Sequence, residues 1–73
     1  MSAATLPPFV VRAELPAGCE FVGLTRMAAA VGFAEAWSAR IDWHGDDEFS
    51  LAGCRSRFRL RQVWAGRWGV FEV

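Results

Sequence analysis

Lysine, asparagine and tyrosine are missing from these 73 residues, and isoleucine occurs once. All four are residues of AT-rich codons, so their shortage points to a GC-rich genome, and the use of arginine at all eight basic positions carries little meaning by itself. The positions of the arginines are the informative part. No apolar run approaches the roughly 18 residues needed to span a bilayer. The opening MSAATLPP lacks the basic start and apolar stretch of an export signal. A soluble, cytoplasmic protein is therefore expected. The two cysteines, 35 positions apart, are expected to be free and buried as small apolar residues.

Chemistry-bearing motifs are equally scarce. There is no glycine-rich phosphate loop, and the lone His44 has no orienting group or nucleophile motif near it in sequence, with Cys19 and Cys54 its only conceivable thiol partners. Asp42, His44, Asp46 and Glu48 alternate in the manner of a metal loop, but the glycine that a calcium loop needs at its sixth position is absent. No catalytic residue, metal or cofactor is assigned, and an enzyme is the least expected class.

What is present is a dense supply of apolar residues, 53% of the chain, with six Phe and four Trp. A chain of this length makes one domain and buries only about 60% of its unfolded surface, so it must pack tightly. Residues 1–8 end in Pro7-Pro8 and read as a flexible lead-in to a single domain over 9–73. Phe9 to Leu15 alternates as a strand, and Pro16-Ala17-Gly18 breaks it. Cys19 to Leu24 reads as a short second strand. Thr25 then caps a helix of about 13–15 residues, with Met27, Val31, Ala34 and Trp37 on one side. Gly32 marks a tight packing contact or a turn. Arg40–Trp43 and Glu48–Leu51 read as strands flanking a turn, and Ala52-Gly53 as a bend. The expected fold is α+β: one α-helix on an antiparallel sheet of four to five strands ending in a β-hairpin.

That hairpin carries the most distinctive pattern. Arg55, Arg57, Arg59 and Arg61 occupy every second position, with Phe58 and Leu60 between them, as on a strand with two unlike faces. A two-residue turn at Ala65-Gly66 places Trp64 opposite Arg67, Leu60 opposite Phe71, Phe58 opposite Val73 and Arg59 opposite Glu72. One face is then core, and the other presents Arg57, Arg59, Arg61, Trp68, Val70 and Glu72 to solvent. The turn is the weak point, because Ala is unfavourable at a positive φ. Charge is balanced, eight against eight, but sorted: Glu35, Asp42, Asp46, Asp47 and Glu48 precede an arginine-rich C-terminal third. Two contact surfaces follow, the row Arg57, Arg59, Arg61 with Trp68, and the acidic cluster Asp46, Asp47, Glu48. Each also has a plainer reading as ordinary solvated surface, a charged sheet face and a polar turn.

Leu24 to Ile41 also resembles a helix-turn-helix, with Gly32 at the turn, Ile41 closing the second helix and the hairpin as a wing. That resemblance implies a small DNA-binding regulator. Against it, the second helix would offer only Glu35, Ser38 and Arg40 to DNA, and zero net charge disfavours broad nucleic-acid affinity. In length, single helix, arginine strand and acidic turn, the chain is similar in kind to the small inhibitors of bacteriophages and mobile elements, the anti-CRISPR proteins among them. That similarity implies a non-enzymatic protein that binds a bacterial effector complex and blocks it sterically, on a surface that would otherwise hold target nucleic acid or a partner subunit, with no membrane partner.

Overall fold

The computed structural model of the chain describes residues 15–73. The expected lead-in over 1–8 lies outside these residues, as does the expected first strand except for Leu15, which sits in a bend. The elements run β1 (Cys19–Gly23), α1 (Arg26–Ala36), β2 (Ile41–Trp43), β3 (Glu48–Leu51), β4 (Arg57–Trp64) and β5 (Arg67–Glu72). The strands form one antiparallel sheet in the order β1-β5-β4-β3-β2. The helix lies on one of its faces, so the α+β architecture expected from the sequence is the one observed. Among the described residues no helix is long and apolar enough to cross a membrane.

The helix begins where Thr25 Oγ1 accepts a hydrogen bond from the Ala28 N–H at 2.9 Å, satisfying one of the donors that a helix start leaves open. It stops in a Schellman motif, with the Ala39 N–H donating to the Ala34 carbonyl and the Ser38 N–H to that of Glu35. Ser38 takes the left-handed conformation there, at φ 52°. The buried stripe is Ala29, Ala30, Phe33 and Ala34. This corrects the expected helix face: of Met27, Val31, Ala34 and Trp37, only Ala34 is buried. The alanines win those positions because they let the helix backbone come down onto the sheet. Gly23 lies directly beneath, where a Cβ would stand 2.5 Å from the Ala29 nitrogen, and Gly32 is held against the Phe21 ring.

The helix continues unbroken through Gly32, so that residue is a packing glycine and no turn. After Ser38 the chain passes into β2, and the described residues contain no second helix, which removes the helix-turn-helix frame. The core is an aromatic cluster. Phe33 meets Phe58 edge-on at 4.9 Å between ring centroids, and Phe49 lies 5.7 Å from Phe58. Leu51, Leu60 and Val70 complete it.

The hairpin register differs from the expected one by a bulge. Trp64 does pair with Arg67, but the ladder shifts between Gln62 and Trp64, after which Gln62 faces Trp68, Leu60 faces Val70, Arg59 faces Phe71 and Phe58 faces Glu72. The turn explains why. Only Gly66 takes a positive φ, at 70°, and Ala65 stays out of that region. Such a turn matches strand twist poorly, and the extra residue at Val63 supplies the additional twist. Val70 and Trp68 therefore move to the helix side, and Phe71 joins the arginines.

Candidate protein-binding face

The face of the sheet away from the helix carries the arginine row. Strand β4 starts at Arg57, so the row holds Arg57, Arg59 and Arg61, and Arg55 stands in the preceding loop. All three project outward and are exposed, with Phe58 and Leu60 buried between them. Their neighbours are not those expected. Arg57 and Arg59 share the carboxylate of Glu48 across the β3–β4 ladder, at 3.6 and 4.0 Å. Glu72, expected opposite Arg59, instead accepts a hydrogen bond from the Ser56 hydroxyl. Arg61 lies over the Phe71 ring, 4.5 Å from its centroid.

Phe71 belongs to a small apolar cluster on this outer face. A Cβ on Gly69 would meet Cys19 Sγ at 2.8 Å, Val63 at 2.9 Å and Phe71 at 3.1 Å, so these three side chains close over the space that the missing side chain leaves. Burial pushes the Cys19 thiol above its ordinary pKa. Its partner in the sequence, Cys54, is exposed, contrary to the expectation that both are buried. Beyond β4 the face continues onto β3 and β2 with Ser50 and Asp42, Ser50 sharing a 2.8 Å hydrogen bond with His44 Nε2.

Trp68, expected beside the arginines, packs against the core on the other side of the sheet, where the Arg26 guanidinium covers its ring at 5.3 Å. The acidic cluster is divided as well. Glu48 serves the arginine row, whereas Asp47 pairs with Arg26 at 2.7 Å on the helix side and helps hold that guanidinium charged. Asp46 is exposed at the turn. The structure thus gathers Arg57, Arg59, Arg61 and Glu48 and separates them from Trp68 and Asp47. Phe71 is the member that sequence reasoning missed, and Gly69 was the signal for it, since a glycine inside a strand marks a bulge or a close approach. Comparison with protein-family models, with curated proteins and with solved structures yields no match.

Proposed function

We propose that this chain is a non-enzymatic binding protein that acts as a steric inhibitor, covering a surface of a bacterial effector complex in the manner of the anti-CRISPR kind. The contact face is the open side of the sheet, centred on Arg57, Arg59, Arg61 and Phe71. One observation carries the reading: Glu48 neutralises part of the row while Arg61 stacks on Phe71. Arginine and aromatic side chains are the residue types that anchor protein interfaces. About 800 Å² per partner makes a standard interface, within reach of a domain of this size.

Direct nucleic-acid binding is the second reading, favoured by the three exposed guanidiniums of Arg57, Arg59 and Arg61 along one strand. Glu48 opposes it, because a carboxylate between two guanidiniums repels a phosphate track. The two separate in one titration series. The chain is titrated against a panel of purified CRISPR effector complexes, and against single-stranded and duplex oligonucleotides at low salt. The proposal expects saturable binding to an effector complex and none to bare oligonucleotides. Oligonucleotide binding that weakens steeply with salt, and no protein partner in the panel, contradicts it.

A further inference from the structure

We infer that β2 and the adjoining flank of α1 are covered by a second copy of this chain, in a twofold dimer that joins two sheets edge to edge. Among the described residues β2 has a strand neighbour on one side only, and none of them pairs with the backbone groups of its other side. Large apolar side chains stand exposed beside that edge: Met27 at 58%, Trp37 at 67% and Trp43 at 41%. They wall two grooves, one at the C-terminal end of β2 and one between the end of α1 and the β3–β4 loop. Met27 and Trp43 line the first with Asp46, and Trp37 lines the second with Ala39 and Leu51. An antiparallel second copy exchanges the ends, so that each Trp37 meets the other's groove at Met27 and Trp43. Such a contact is isologous, the symmetry most soluble dimers have.

Charge and apolar contact together select the occupant and the register. Residues directly opposite each other in an antiparallel pair lie on the same face of the sheet. A twofold axis at Asp42 would set two Asp42 carboxylates against each other, which is destabilising. An axis at Ile41 would pair Arg40 with Asp42 but set each Trp43 against Ala39 and leave Asp46 beyond the paired residues, whereas an axis at Trp43 pairs the two indoles, brings Asp42 opposite His44, and brings Arg40 opposite Asp46. Arg40 and Asp46 are exposed, and neither forms a salt bridge among the described residues. A net charge of zero removes general repulsion between copies. The helices of both copies then lie on one side of a continuous sheet, and both arginine faces stay open on the other. The dimer is therefore independent of the function proposed above.

Sedimentation velocity over a concentration series tests it. The wild type is expected to associate to twice its 8.1 kDa mass. Arg40→Glu and Asp46→Arg each put like charges together at two symmetry-related places and are expected to weaken the dimer by roughly tenfold or more. The double variant Arg40→Glu/Asp46→Arg restores opposite charges and is expected to recover association. Both positions are exposed, and circular dichroism of each variant checks that the fold is kept. A wild type that stays monomeric to several hundred micromolar overturns the proposal, as do single variants that associate like the wild type.

Discussion

Ser38 is the one described residue other than glycine that sits in the left-handed region, and it does so because the Schellman motif requires that conformation at its position. Its Cβ opposes the backbone there, and glycine removes the conflict. Ser38→Gly is expected to stabilise the protein by about 0.5–1 kcal/mol, which thermal unfolding would register as a Tm rise of a few degrees. The two cysteines differ by burial in a way that thiol chemistry can read. Cys54 is expected to react with a disulfide reagent at the rate of an open thiol, and Cys19 only as the fold opens. The Cys19 shift also sets a pH dependence. Below the ordinary thiol range both states hold the proton, and the stabilisation is complete. As pH rises through that range the unfolded chain ionises while the folded thiol does not, so stability falls until the raised folded pKa is passed. Denaturant midpoints measured from neutral to alkaline pH, compared with those of Cys19→Ala, check the sign.

At the scale of the element, local signals located most of the boundaries. Thr25 marks the helix start, Gly53 and Gly66 take positive φ at the bend and hairpin turn, and alternation defines β4. The side of the helix that faces the core was not readable in the same way. Apolar residues surround α1, so periodicity favoured the large Met27 and Val31 over the alanines that are actually buried. What decided the face was the approach of β1, where Gly23 admits the helix backbone. Gly23→Ala is therefore expected to destabilise by about 2–3 kcal/mol, because the new methyl meets backbone that cannot move independently of the helix. A urea-unfolding midpoint measures it, and an unchanged midpoint would show that the helix can lift from the sheet at little cost. The hairpin register failed for a related reason. One added residue at Val63 reverses which residues of β5 face the core, and the cause lies in turn geometry and in the space at Gly69, neither of which hydrophobic alternation reports.

Over the whole molecule the dipolar charge pattern read from the sequence resolves into two layers. Arg26 and Asp47 tie the helix start to the β2–β3 turn, and Arg57, Arg59 and Glu48 occupy the opposite face. The arginine row survives as an outward surface because its strand alternation is independent of the hairpin register. Its companions do not, since they depend on pairing with β3 and β5. The account rests on that row as the docking face. The most direct measurement is calorimetric titration of the purified chain against the panel of effector complexes proposed above, compared with Arg57→Glu/Arg59→Glu/Arg61→Glu, whose fold is checked by circular dichroism. Three reversals at a charge-matched interface are expected to cost at least about 3 kcal/mol, more than a hundredfold in Kd. A folded triple variant that binds as tightly as the wild type would contradict the account.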